Sequence, residues 1–183
     1  MAEVTSKPAT AHRAVAEAEV AVAQETLSAI IDGTIAKGDV LSVAELAGVF
    51  AGKRAADLIP LAHPAGLTHL VVSAAPERAA SAVRIRAETA AIGPTGVEME
   101  ALTAAAVAAL TVYDMIREIE PGASVRSLRL ISSSAGEFDE WRRLDDPAEV
   151  QRPPKGVRTA GRIATASPRG GATFGPGPRK RTS

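Results

Sequence analysis

Residues 67–89 decide the fold: Leu67-Thr68-His69-Leu70-Val71-Val72-Ser73-Ala74-Ala75-Pro76-Glu77-Arg78-Ala79-Ala80-Ser81-Ala82-Val83-Arg84-Ile85-Arg86-Ala87-Glu88-Thr89. Leu67 to Ala74 and Ala82 to Thr89 read as paired strands joined by a turn around Pro76-Glu77-Arg78. Backward from this hairpin, Ala14 to Val22 alternates well enough to be a strand with one polar face. Gln24 to Ile31 reads as a short helix ended by Asp32-Gly33, where glycine accepts the left-handed conformation. Asp39 is placed to cap a helix running from Val40 to about Arg54. Leu58 to Leu61 is irregular, because Pro60 has no amide hydrogen to donate. Forward from the hairpin, Thr95-Gly96-Val97-Glu98 has the spacing of a capping box and opens a helix to about Glu120. Pro121-Gly122 stops it, and Ser124 to Ile131 supplies the last strand. Strand, two helices, hairpin, helix, strand predicts an α+β fold whose antiparallel sheet is covered by helices on one face.

Composition narrows the class. The chain has 183 residues, and 46% of them are apolar but only 3% aromatic, so the core must be built from Ala, Val, Leu and Ile. There is no cysteine, which removes disulfides and thiolate metal sites and suits a reducing compartment. Met1 to Pro8 has no apolar run and resembles no secretory signal. The longest apolar stretch, within Ala101–Tyr113, covers 13 residues and is too short to span a bilayer. These features predict a cytoplasmic protein without a membrane partner.

A net charge of zero hides a division. Residues 1–150 hold all 21 acids and 13 of the 21 bases, a net of −8, whereas residues 151–183 hold the other 8 bases and no acid. The segment Gln151 to Ser183 is rich in Gly, Pro, Ser and Thr. It has too little apolar surface to offset the entropy of ordering it, and is expected to be a disordered tail beside a domain of residues 1–150. Basic residues there are compatible with nucleic acid or an acidic partner, but a solvated extension is the reading that composition favours.

Five blocks carry more specific information. Lys37-Gly38-Asp39-Val40, Lys53-Arg54, Asp57-Leu58-Ile59-Pro60-Leu61-Ala62-His63-Pro64, Thr95-Gly96-Val97-Glu98-Met99-Glu100-Ala101-Leu102-Thr103 and Leu110-Thr111-Val112-Tyr113-Asp114-Met115 resemble, in order and spacing, the molybdenum cofactor biosynthesis protein C family. The similarity covers roughly Met1 to Ile131. It implies a ferredoxin-like fold assembled as a homo-hexamer, a trimer of dimers with sites at dimer interfaces. The implied activity is a lyase reaction that turns (8S)-3',8-cyclo-7,8-dihydroguanosine 5'-triphosphate into cyclic pyranopterin monophosphate and pyrophosphate. No cofactor is implied.

Such chemistry needs cations for a triphosphate of about four negative charges and groups that exchange protons. In a segment of net −8 those cations must be concentrated locally; Lys37, Lys53, Arg54, Arg84, Arg86 and Arg117 are the candidates. Lys37 precedes a helix start, where free amides also favour anions. Lys53 and Arg54 end a helix, where the dipole favours cations without any catalytic duty, so both readings stay open. By resemblance, Lys37, Asp114 and Arg117 occupy catalytic positions, and Leu61, Ala62, His63, Met99 and Glu100 bind substrate. Ala62 stands where the family usually has Cys. Glu98 reads as the third helical position of the capping box. Asp114 and Arg117, three residues apart on one helix face, would also make an ordinary surface ion pair. His12, His63 and His69 are scattered, which argues against a metal cluster.

Spacing adds a point. Glu100 and Asp114 share a face of one helix but lie about 21 Å apart along it. Two copies of that helix, antiparallel about Val107, would bring Glu100 of one near Asp114 of the other, with Ala104, Ala105, Ala108 and Ala109 permitting close approach. Two positions depart from the family pattern. Arg117 replaces a lysine and does not release a proton near neutral pH. Ser132-Ser133-Ser134-Ala135-Gly136-Glu137 replaces a Gly-rich run bearing two lysines. These departures raise a second reading, a catalytically impaired paralogue that keeps the assembly and pocket as a binding or regulatory subunit.

Overall fold

The computed structural model describes residues 1–136 and 139–144. Its elements are Thr10–Ala21 (β1), Gln24–Ile31 (α1), Val40–Gly52 (α2), Ala55–Leu58 (α3), Leu67–Glu77 (β2), Ala82–Gly93 (β3), Glu98–Ile116 (α4), Ser124–Ala135 (β4) and Asp139–Arg142 (β5). The sheet has five strands in the order β2-β3-β1-β4-β5, and every pair is antiparallel. This is the α+β, ferredoxin-like arrangement that the sequence predicts, with a fifth strand added at one edge. The hairpin falls where expected: β2 and β3 pair down to Glu77 and Ala82. Its turn contains Ser81 at φ 50°. The expected division at residue 150 and the tail 151–183 lie outside the described residues.

One face of the sheet is apolar because alternate strand residues point the same way. Ala14, Ala16, Ala18 and Val20 of β1 and Val83, Ile85 and Ala87 of β3 are buried in a core shared with α4. Ala101, Ala104, Ala105, Ala108, Ala109 and Val112 are the buried side of α4. The sequence reading reserved four of these alanines for a second copy of the helix; they are instead spent within the chain. The reason lies in α2, where a Cβ at Gly48 would stand 2.9 Å from the Ala104 carbonyl and 3.2 Å from Ala108 Cβ. Glycine lets the two helices touch backbone to backbone. With its 19 residues, α4 is long and apolar enough to cross a bilayer, unlike the shorter run seen in the sequence, but its buried face makes it a core helix.

The capping box is not formed. Val97 is the N-cap of α4 and no side chain caps it. Val97 is buried, and its carbonyl accepts from Thr89 Oγ1 at 3.0 Å as well as from Ala101 N at 3.2 Å. Burying a valine is worth about 1.5–3 kcal/mol, more than the roughly 1 kcal/mol of a side-chain cap, so packing sets the helix entry. Glu98 instead folds its carboxylate over Gly96. At the other end α4 stops at Ile116, short of the expected Glu120. The Glu120 carboxylate is occupied elsewhere, accepting from Ala23 N at 2.9 and 3.0 Å.

Candidate active site

Asp39 starts the construction of the site. Its Oδ1 accepts from Leu41 N and Ser42 N, both at 3.1 Å, and its Oδ2 from Ser42 Oγ at 2.6 Å. These bonds, the Ser42 hydroxyl foremost, hold the Asp39 carboxyl below its ordinary pKa of 3.8. The cap fixes the start of α2, and Gly38 at φ 103° makes a turn that side chains rarely tolerate. Lys37 is thereby delivered to the far end of α4. Its Nζ donates to the Asp114 carbonyl at 2.7 Å and lies 3.5 Å from Asp114 Oδ2 and 3.6 Å from Glu118 Oε1. Arg117 Nε lies 3.0 Å from Asp114 Oδ1. Three of the residues named from sequence therefore meet, and Asp114 keeps 60% of its side chain open to solvent.

The other candidates gather at the opposite end of α4. Glu100, in the first turn, is only 4% exposed. Burial pushes its pKa above 4.5, with Glu98 adding a like charge. Glu100 lines a recess of about 130 Å³ together with Lys53, Arg54, Asp57, Pro64 and Ala65. Leu61 is well exposed, Ala62 and His63 half-buried, and Met99 lies at the surface. Glu3 comes near His63. Hydrogen bonds from Thr5 hold the Glu3 carboxyl below its usual value, and the imidazole adds a smaller effect. The N-terminal arm was not foreseen as part of this neighbourhood; its acidic residue near the chain start was the available signal.

Two of the proposed cations are elsewhere. Alternation puts Arg84 and Arg86 on the face of the sheet away from the helices, where with Arg129 they surround Glu17 at 4.0, 3.0 and 3.5 Å. Glu77 pairs with Arg84 and Glu88 with Arg86 to complete the network, and Glu19 pairs separately with Arg126 at 3.3 Å. His12 is buried, with Nε2 2.9 Å from Thr10 Oγ1 and 3.1 Å from the Gly93 carbonyl. His69 is exposed. Among the described residues no group of three or more His, Asp or Glu is arranged to hold a metal ion. Ser132–Ala135 continue β4 and pair with both β1 and β5, and Glu137 lies outside the described residues.

The sequence profile of the MoaC family matches residues 1–136. The chain belongs to the MoaC family. It is 45% identical over 152 residues to the cyclic pyranopterin monophosphate synthase of Thermomicrobium roseum, covering 83% of this chain and 92% of that protein. It is 45% identical over 151 residues to the protein of the same name from Brucella melitensis biotype 2, covering 82% and 91%. With that of Chloroflexus aurantiacus it shares 46% over 143 residues, covering 78% and 88%. In this MoaC chain the matched region takes in both residue groups at the two ends of α4.

Proposed function

We propose that this chain is a cyclic pyranopterin monophosphate synthase of molybdenum cofactor biosynthesis. It acts as a lyase on (8S)-3',8-cyclo-7,8-dihydroguanosine 5'-triphosphate and releases pyrophosphate. The observation that carries the reading is the contact between Lys37 and Asp114, 77 residues apart in sequence and joined in space. A lysine on an open carboxylate supplies a positive charge for an anionic substrate and a pair able to pass a proton. Arg117 beside them adds charge but holds its own proton. Leu61, Ala62, His63, Met99 and Glu100 bind the substrate from the other end of α4.

A homo-oligomer, a hexamer built as a trimer of dimers, accounts for the separation of these groups. Fourteen residues of helix place Glu100 and Asp114 about 21 Å apart in one protomer. The face of α4 that carries Val107, Thr111 and the exposed Leu110 is open to a second, antiparallel α4. The reaction belongs in the cytoplasm, in keeping with a chain that lacks cysteine.

Arg117 supports a second reading, an impaired paralogue serving as a binding or regulatory subunit, since an arginine 3.0 Å from Asp114 cannot shuttle a proton at neutral pH. One experiment separates the two. Purified protein is incubated with the cyclised triphosphate, and both cyclic pyranopterin monophosphate and pyrophosphate are measured; binding without product selects the second reading.

A further inference from the structure

Two carboxylates face Lys37, and they are not equivalent. Asp114 is shared: its Oδ1 lies 3.0 Å from Arg117 Nε and its Oδ2 3.5 Å from Lys37 Nζ. Glu118 is not shared. Among the described residues its one ion pair is with Lys37, Oε1 to Nζ at 3.6 Å. A lysine ammonium has three protons to donate. One is engaged by the Asp114 carbonyl at 2.7 Å, which leaves two for the carboxylates or for a substrate.

Glu118 is in place because the chain turns off α4 just before it. The helix ends at Ile116, whose carbonyl accepts from both Ile119 N at 3.0 Å and Glu120 N at 2.9 Å. The Glu120 carboxylate is in turn tied to Ala23 N. The backbone that follows Glu118 is therefore fixed, and a residue four beyond Asp114 stays on the side of Lys37. Solvent contact is graded along the pair. Glu118 keeps 70% of its side chain open and Lys37 only 30%, the order in which a proton travels inward from water. A gap of 3.6 Å is one that a single water molecule can bridge. Arg117 cannot serve in this way, because a guanidinium does not release its proton near neutral pH.

We infer that Glu118 is the proton relay of Lys37, exchanging protons between bulk water and the lysine in place of the proton that Arg117 keeps. The Lys37 ammonium gives a proton to the substrate and becomes an amine. The Glu118 carboxyl, protonated from solvent, then returns a proton to Nζ and is a carboxylate again. The inference rests on the proposed function and adds to it the group that restores Lys37 between turnovers. Glu118 acts through Lys37, so it is a positioning residue and does not touch the ring.

Two measurements on the full chain test this. The first needs no substrate: with isotope-labelled lysine, NMR reads the rate at which the Lys37 ammonium protons exchange with water. Glu118→Gln should slow that exchange by about fivefold or more. A plain exposed ion pair is weak and shields its lysine, so its loss would leave the exchange unchanged or make it faster. The second measurement is turnover of the cyclised triphosphate. Glu118→Gln should lower kcat by about tenfold or more with KM within about twofold of wild type. Added acetate should restore kcat, and Glu118→Asp, which keeps a carboxylate, should retain most of it. Exchange in Glu118→Gln that is unchanged or faster overturns the inference. So does a kcat within about fivefold of wild type, or a loss that neither acetate nor Glu118→Asp repairs. A wild-type protein whose Lys37 exchanges through Glu118 but which yields no cyclic product would instead sink the proposed function and leave the relay standing.

Discussion

Complementation between two inactive variants is the most direct consequence of the proposed antiparallel pairing of α4. Glu100 and Asp114 sit at opposite ends of α4, about 21 Å apart, and no side chain spans that gap within one protomer. In an isologous pair of antiparallel helices, Glu100 of one copy meets Asp114 of the other, and the pair holds two such sites. Glu100→Ala disables the first half of a site and Asp114→Ala the second. Each variant alone should fall to about 1% of wild type or less, the usual cost of removing a proton-transfer group. When the two are mixed one to one and allowed to exchange, half the pairs are hybrid. In each hybrid one site carries both lesions and the other carries none, so activity should return to about one quarter of wild type. The assay is pyrophosphate release from the cyclised triphosphate, with tagged subunits and native mass spectrometry to establish that hybrids form. Hybrids present at the expected proportion but no more active than either parent would refute the shared site, and with it the explanation for two residue groups at two helix ends.

Other perturbations test separate parts of the argument. Arg117→Lys, combined with lysines in the Ser132–Glu137 segment, should raise kcat by about tenfold or more, because a lysine can pass the proton that arginine keeps; an unchanged kcat removes the proton-shuttle argument. Glu17→Ala leaves three guanidiniums facing one another. Breaking a buried pair costs about 3–5 kcal/mol, and arginines 25–35% exposed should reduce this to about 2–3 kcal/mol, readable as a fall in Tm. Glu100 has a folded pKa raised above 4.5, so its contribution to stability is complete below the unfolded value and is lost as pH rises through the folded one. Glu100→Gln should therefore be more stable than wild type at neutral pH, with the difference vanishing below about pH 4.5; urea titrations at several pH values check this, and the opposite trend would overturn it.

The regular elements were legible because their side chains repeat. The hairpin, α1, the Asp39 cap and the order of helices and strands follow from periodicity and turn residues alone. What escaped was decided by particular contacts. α3 and β5 have only four residues each, too few for a period to register. The start of α4 obeyed the burial of Val97 rather than the Thr95 spacing. A stripe of alanines on α4 signals close approach but not to which partner. The answer lay in α2, where Gly48 and Gly52, one helical turn apart, present bare backbone to Ala104, with Ala108 also facing Gly48 and the Glu100 carbonyl facing Gly52.

The site shows a similar division between what a pattern can rank and what only contacts can settle. Arg84 and Arg86 looked like phosphate ligands when charge alone was considered. Yet both alternate with the buried Val83, Ile85 and Ala87, which places them on the sheet face opposite the helices and hence away from α2, α4 and the loops between them. That parity was readable from the strand. The meeting of Lys37 with Asp114 was not, since it needs the whole path from the end of α1 to the last turn of α4; the family resemblance supplied only that both residues are catalytic. Lys53 and Arg54 were undecidable for a different reason. A cation at a helix end is ordinary, and its significance depends on whether a carboxylate stands nearby. In this protein carboxylates pair with Lys37 and Arg117, whereas Lys53 and Arg54 share a recess with Asp57 and Glu100 and, among the described residues, are in an ion pair with neither.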